Sequence, residues 1–386
     1  MKPRILHVVK SQNVAGAENH LFMLLRGLAA EGHEVHLLSL TDRRHGPMGD
    51  AYRQRLDAAR DEGVGVHLDE VAHKFDGTAV GRITRHIRRI GPDLVHTHMP
   101  YADLFGSVAA RRAGVGAVIG SRHHDCAFSR AEWLRFKAYY ALVKPWQQGV
   151  IAISQRVADQ CRRMEGWRGE QVFPVLYGCD DHATDRAAAR SGVLRELGLA
   201  PDTVLLGTVA RLIPWKGHRH AVEAMAQVAP RVPNARWLFV GDGPERAALE
   251  RQVGDAGLGD RVLFLGYRTD IARLMAAFDL LVHPTLGEGF GLIQLEAMLQ
   301  GTPIVSTLTG AIPEVVVDGE TGLLVPPASA GELARAVTRL AEDEALRLRF
   351  GAAGRSRFER EFTSARMAGE TSEVYRKAMT AGRRAA

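Results

Sequence analysis

Cysteine is scarce in this chain: Cys126, Cys161 and Cys179 form an odd set without a CxxC pair. Neither a disulfide framework nor a structural zinc site is indicated, and a reducing cytosol is the expected compartment. No stretch approaches the roughly 18 uninterrupted apolar residues that a membrane-spanning helix needs. The opening run MKPRILHVVK places one short apolar segment before a charge, which reads as a strand and not as a leader peptide. No tandem repeat of short period is present. No G-x-G-x-x-G follows that first strand with an acidic residue at a suitable distance, which argues against a nicotinamide dehydrogenase. Charge of one sign is not in large excess. The formal net charge is +6 and the pI about 9.4, so no nucleic-acid partner is expected.

Glycine is plentiful, with 40 residues, many of them directly after apolar runs as βα turns require. Hydrophobic content of 46% and charged content of 24% are those of a globular protein. At 386 residues the chain exceeds one ordinary α/β domain and suits two of roughly 150–200 residues. Arg4–Val9 reads as a strand, and after the turn SQNVAGAEN a helix carries Leu21, Leu24, Leu25 and Leu28 on one face and stops at Gly32. Further strands are expected at Glu34–Leu40, Gly65–Leu68, Leu94–His98, Ala117–Ser121, Gly149–Ser154 and Gln171–Leu176. A second βαβ series starts at Val204–Val209 and continues through Ala235–Val240, Val262–Leu265, a strand ending near His283, Pro303–Ser306 and Gly322–Val325. The expected fold class is α/β, with two Rossmann-like parallel-sheet domains facing each other across a cleft. The first covers residues 1–185, polar residues 186–200 act as the linker, the second covers 201–365, and 366–386 form a closing helix.

The most informative stretch is Leu281–Pro303, LVHPTLGEGFGLIQLEAMLQGTP. A strand breaks into a turn punctuated by Gly287, Gly289 and Gly291, and a helix with Leu292, Leu295 and Leu299 follows. Glycines let backbone N–H groups approach a ligand, and at a helix N-terminus those groups favour an anion such as phosphate. Glu288 in the turn is placed to take hydroxyls, and Glu296 two turns on can reach a second polar group. Such a set suits a ligand with phosphate in the middle and hydroxyls at both ends, a nucleotide sugar. A glycosidase pair would need carboxyls within about 5–9.5 Å. Eight positions of mostly helical rise put the two Cα atoms roughly 10 Å or more apart, which favours division of labour.

Arg211 and Lys216 follow the carboxyl end of the strand Val204–Val209, where a fork and a point charge can hold a diphosphate. Gly16 follows the first strand, the end at which open α/β sheets bind ligands. His98, His123 and His124 lie at or just after strand ends of the same sheet. His123 is the better placed to meet a ligand, with His98 and His124 as candidates for an acceptor. The helical stretch Ala131–Trp146 mixes Trp133, Phe136, Tyr139, Tyr140 and Trp146 with Arg135, Lys137 and Lys144. It reads either as a helix packed on the sheet with snorkelling basic residues or as a peripheral contact with an anionic membrane.

Residues 264–325 closely resemble the donor domain of the retaining glycosyltransferases of family 4, which have the GT-B fold. The resemblance rests on the E-x7-E signature from Glu288 to Glu296 within EGFGLIQLEAM. Around it stand FLGYRTDI, GTPIV, PEVVVDGETGLLV, GDGPER and ARLIPWKG in the family's order. GAEN, GHEV, PDLVHTH and the strand end at Ser154 match more loosely, and REFTSARM resembles the family's final segment, whose last helix crosses back to the first domain. The resemblance implies that Glu288 holds the donor sugar's hydroxyls and Glu296 the ribose hydroxyls. The turn at Gly289 and the amides of Phe290, Gly291 and Leu292 would meet sugar or phosphate, while Arg211 and Lys216 neutralise the diphosphate. Gly16 would approach the diphosphate, Tyr267 and Arg268 would lie near the nucleobase, and His123 near the reacting sugar carbon. Transfer would retain anomeric configuration, with no metal and no cofactor beyond the nucleotide diphosphate sugar itself. Two departures stand out: Ala17 where a second glycine is usual, and Tyr177 where asparagine often precedes the Gly-x-Asp turn.

The expected activity is therefore transfer of a hexosyl unit, from a UDP-sugar in preference to a GDP-sugar, to a saccharide or lipid-linked acceptor of a bacterial surface glycan. The acceptor rests on analogy alone. A sugar-nucleotide epimerase of the same fold and a non-catalytic nucleotide-sugar-binding protein are the alternatives. The expected location is cytoplasmic, with the inner face of the membrane as a peripheral option. Oligomeric state is not legible.

Overall fold

The computed structural model describes residues 2–14, 16–72, 76–123 and 130–385; Ala15, His124, Asp125 and Cys126 fall outside them, as do the side chains of residues 130–133. The chain divides into two units, one of residues 1–180 with 363–386 and one of residues 181–362.

The first unit is built on seven parallel strands: β1 (Arg4–Lys10), β2 (Glu34–Asp42), β3 (Gly65–Val71), β4 (Leu94–His98), β5 (Ala117–Arg122), β6 (Gly149–Ala152) and β7 (Val172–Pro174). Their order is β3-β2-β1-β4-β5-β6-β7. Strands covered by helices on both faces read as continuous apolar runs, and Ile5, Leu6, Val8 and Val9 of β1 are all buried. The helix Gly16–Ala30 buries Leu21, Leu24, Leu25 and Leu28 as its spacing requires, and the chain turns at Gly32, whose φ is +84°. The order reverses direction between β1 and β4, so the crevice at their carboxyl ends is the topological switch point of this sheet.

The chain closes with two helices, Glu344–Glu361 and Ser364–Ala385, broken at buried Phe362, so the closing helix starts slightly before the expected residue 366. The second of them packs in the first unit, with Met367, Ala368, Val374, Tyr375 and Ala378 in the core beside Leu21, Leu25 and Leu28. Ser364 N donates to Cys179 O at 2.9 Å, fixing where the chain rejoins.

An ion triad lies inside this unit at the end of β5. Arg122 Nη1 meets Asp103 Oδ2 at 2.9 Å and Arg122 Nε meets Glu165 Oε2 at 3.0 Å, with all three side chains buried. Trp167 Nε1 donates to the same Glu165 oxygen at 2.8 Å, and the guanidinium lies over the Tyr140 ring. The triad ties the strand end that precedes His123 to the helix Met99–Arg112.

The second unit has six parallel strands: β8 (Val204–Val209), β9 (Ala235–Val240), β10 (Val262–Gly266), β11 (Leu280–His283), β12 (Ile304–Thr307) and β13 (Gly322–Val325). Their order is β10-β9-β8-β11-β12-β13, so the switch point falls between β8 and β11. The expected linker 186–200 belongs to this unit. Residues Arg186–Glu196 are helical because Asp185 caps them through Ala187 N and Ala188 N. Arg186 donates to Phe278 O at 2.7 Å, and Arg190 pairs with Asp279 at 2.8 Å, which anchors that helix to the sheet. Among the described residues no helix is long and apolar enough to cross a membrane.

Candidate functional site

Both halves of the sequence motif arrive at the switch point of the second sheet. Arg211 and Lys216 follow β8, and the loop 284–291 follows β11. The two segments are stapled together: Leu286 N donates to Trp215 O at 2.8 Å and Trp215 Nε1 to Gly287 O at 2.9 Å. Close approach of the two backbones requires Gly217, whose φ is +72° and where a Cβ would sit 1.9 Å from Pro284 O. The loop ends at Gly291, with φ +106°, which opens the helix Leu292–Leu299 without any side-chain cap. Gln294 N reaches back to Gly291 O at 3.2 Å, while Gly291 has no side chain to cap the N–H groups of Leu292 and Ile293.

Glu288 is the electrostatic centre of this loop. Its Oε2 lies 2.6 Å from Lys216 Nζ and 3.4 Å from His283 Nε2. Burial alone would raise the carboxyl, but the His283 hydrogen bond and the Lys216 charge outweigh it and hold the group down at about 2. Glu288 is therefore an ionised acceptor suited to hydroxyl groups, not a proton donor. Burial pushes His283 down, with Glu288 opposing that and Lys216 adding to it. Arg211 is exposed and makes no ion pair with the described residues. Glu296 is half-buried on the following helix, and Phe290 is buried, its ring edge-on to Phe362.

Tyr267 stands exposed just after β10. Arg268, expected beside it near a base, spends its guanidinium on Asp270 at 2.8 Å and Glu196 at 2.6 Å. Sequence reading passed over Trp215 and His283. The tryptophan directly before Lys216 and the histidine at a strand's carboxyl end were the signals available for them.

In the first unit Gly16 is exposed at the start of its helix. His123 is buried just after β5, held by Tyr177 OH at 2.5 Å on Nδ1 and by His98 at 3.4 Å on Nε2. His98, a candidate acceptor contact, is 1% exposed and lies between His7 and His123, with β4 buried on both of its faces. His124, the other candidate, lies outside the described residues.

His7, His96 and His98 bring ring nitrogens within 4.8 Å of one another, a spacing that a transition metal can bridge. Every ring nitrogen of the three except His7 Nε2 already has a hydrogen-bond partner. Among the described residues no carboxylate bears on these three rings, so a dication held by them alone would lack a counter-charge. Hydrogen bonding accounts for the cluster.

The helix Arg130–Val143 turns Tyr140 and Val143 inward and leaves Leu134 and Leu142 exposed, followed by exposed Trp146. The exposed positions 134, 138, 141, 142, 145 and 146 form one apolar stripe, with Arg135 and Lys137 also exposed.

Residues 14–181 match the family model of glycosyltransferase family 4, and residues 193–357 that of glycosyl transferases group 1. The 2-deoxystreptamine glucosyltransferase of Streptomyces kanamyceticus is 32% identical over 275 residues, which cover 67% of this chain and 70% of that protein. The phosphatidyl-myo-inositol mannosyltransferase of Mycobacterium leprae (strain TN) is 27% identical over 372 residues, covering 95% of this chain and 94% of the relative. Among solved structures, Anabaena Alr3699/HepE in complex with UDP-glucose matches the fold with a TM-score of 0.82 at 24% identity, over 97% of this chain and 100% of the other. Matched in both halves and built on two parallel Rossmann-like sheets, this chain belongs to glycosyltransferase family 4 and is a glycosyltransferase of the GT-B fold.

Proposed function

We propose that the enzyme moves a hexosyl unit from a nucleotide diphosphate sugar to a saccharide or lipid-linked acceptor, retaining anomeric configuration and using no metal. The observation that carries this reading is the convergence of Lys216, ionised Glu288 and an uncapped helix N-terminus at one switch point. Negative charge grows on the departing diphosphate as the glycosidic bond breaks. Fixed cations and N–H groups aimed at that charge lower the barrier most. Lys216 and Arg211 are the cations, and they do the work that a metal does elsewhere. Glu288 and Glu296 grip hydroxyls at opposite ends of the donor. A UDP-sugar is the favoured donor, in keeping with HepE, whose structure holds UDP-glucose. The relatives act, by their names, on an aminocyclitol and on a phosphatidylinositol, which supports a hydroxylated ring or a lipid-linked acceptor. We place the step in surface-glycan synthesis on the cytoplasmic side, with the Leu134–Leu142–Trp146 stripe resting on an anionic bilayer.

Thermal-shift screening against UDP-, GDP- and ADP-sugars, with and without EDTA, tests this reading. Stabilisation by a UDP-sugar that survives EDTA is the expected result. No shift with any nucleotide sugar would overturn it.

A further inference from the structure

Four buried side chains of the first unit stand in series: His7, His98, His123 and Tyr177. His7 Nδ1 is 3.0 Å from His98 Nε2, His98 Nδ1 is 3.4 Å from His123 Nε2, and His123 Nδ1 is 2.5 Å from Tyr177 OH. Exposures run from 0% at His7 and 1% at His98 to 4% at Tyr177 and 8% at His123, so only the far end of the row approaches the surface. His20, on the helix that begins at Gly16, stacks on Tyr177 with ring centroids 3.8 Å apart and gives the phenol a second wall. His96 stays out of the row, bonded at 2.7 Å to both Tyr375 OH and Ser121 Oγ.

We infer that Tyr177 and His98 are positioning residues, which clamp the His123 ring through its two nitrogens and fix it in one orientation and one tautomer. This rests on the reading of His123 as a ring that meets substrate. A neutral imidazole has one N–H and one lone pair, and two donors cannot face each other. The bonds must therefore run in a single direction along the row. Either His7, His98 and His123 all carry the proton on Nδ1, or all carry it on Nε2. Among the described residues His7 Nε2 has no hydrogen-bond partner in its buried position. The Nδ1 form leaves a lone pair there, and the Nε2 form leaves an orphan N–H, the rarer and costlier defect. The Nδ1 form is favoured, so His123 donates to the Tyr177 oxygen and accepts from His98. Burial pushes His7 down to about 3 and His98 well below the ordinary imidazole range, in keeping with neutral rings. With both nitrogens engaged, His123 offers the substrate a fixed ring and not a proton.

Long-range 1H–15N correlation spectra of the full chain labelled with 15N-histidine read the tautomers directly. From pH 6 to 8, His7, His98 and His123 should share one tautomer, protonated at Nδ1, with no averaging. Tyr177→Phe and His98→Leu should bring His123 into averaged exchange, while His98→Asn, which keeps an amide near the place of Nδ1, should restore a single form. In parallel, UDP release from UDP-glucose should fall about tenfold or more in kcat for Tyr177→Phe, with donor KM within about twofold and recovery in His98→Asn relative to His98→Leu. Mixed tautomers in the wild type, or Tyr177→Phe turning over like the wild type, would overturn the inference. If the wild type bound no nucleotide sugar, the functional reading would fail, while the tautomer result would still decide whether the clamp exists.

Discussion

Lys216 Nζ lies 2.6 Å from Glu288 Oε2, a contact made across 72 positions of sequence. Each side chain is 20% exposed, so the pair is neither fully screened nor fully desolvated. In the unliganded chain the cation and the carboxylate neutralise each other. A nucleotide sugar that brings hydroxyls to Glu288 and phosphate to Lys216 replaces one set of charged contacts by another.

Removal of either cation should therefore be felt at the phosphates. Lys216→Ala or Arg211→Ala should weaken binding of UDP by roughly 10- to 100-fold, the worth of a hydrogen bond to a charged group, and leave uridine binding within about twofold. Competition binding measures both. Equal losses for nucleotide and nucleoside would remove these residues from the diphosphate.

Acid stability should carry the signature of Glu288. Its folded value near 2 lies below the ordinary carboxylate near 4.3, so the group stabilises the fold at pH above that ordinary value. That contribution fades as pH falls through about 2. Between pH 4.5 and 2 the melting temperature of the wild type should thus drop more steeply than that of Glu288→Gln. Parallel curves in scanning calorimetry would contradict the assignment.

The buried triad behind His123 predicts a large effect from one substitution. Arg122→Leu would leave Asp103 and Glu165 buried without their counter-charge, and should cost about 3–5 kcal/mol in urea unfolding. A loss below about 1 kcal/mol, the range of exposed pairs, would mean that the triad is solvated in solution.

The apolar stripe on the helix Arg130–Val143 should bring the protein down with anionic vesicles, more at low salt than at high salt. Leu142→Asp should abolish the effect without altering donor binding. Equal sedimentation with neutral vesicles would point to apolar attraction alone, and none with either would withdraw the membrane contact.

Much of this architecture was legible because it is local. A strand, three glycines and a helix in Leu281–Pro303 suffice to place Glu288 in a turn between a strand end and a helix start. What stayed hidden depends on contacts between distant segments. Nothing in the order of residues says that Lys216 bonds Glu288, or that Tyr177 reaches His123 across 54 positions. His98 reads as an acceptor contact because it ends a strand, and its place between His7 and His123 depends on strands far apart in sequence. Nor does the order of residues say that Arg268, expected near a base, pairs with Glu196 and Asp270. Residues 186–200 read as a linker because they are polar, yet they fall within the second unit, where Arg186 and Arg190 bond Phe278 O and Ala277 O at the end of the helix Ile271–Ala277.

Calorimetric titration of UDP and UDP-glucose into the wild type and Glu288→Gln tests the division of labour at this loop most directly. The wild type should bind UDP-glucose more tightly than UDP. Glu288→Gln should keep UDP affinity within about threefold and lose the added affinity of the sugar, a change of about 1.4 kcal/mol for each tenfold. If Glu288→Gln bound UDP-glucose as the wild type does, Glu288 would not be the sugar's grip.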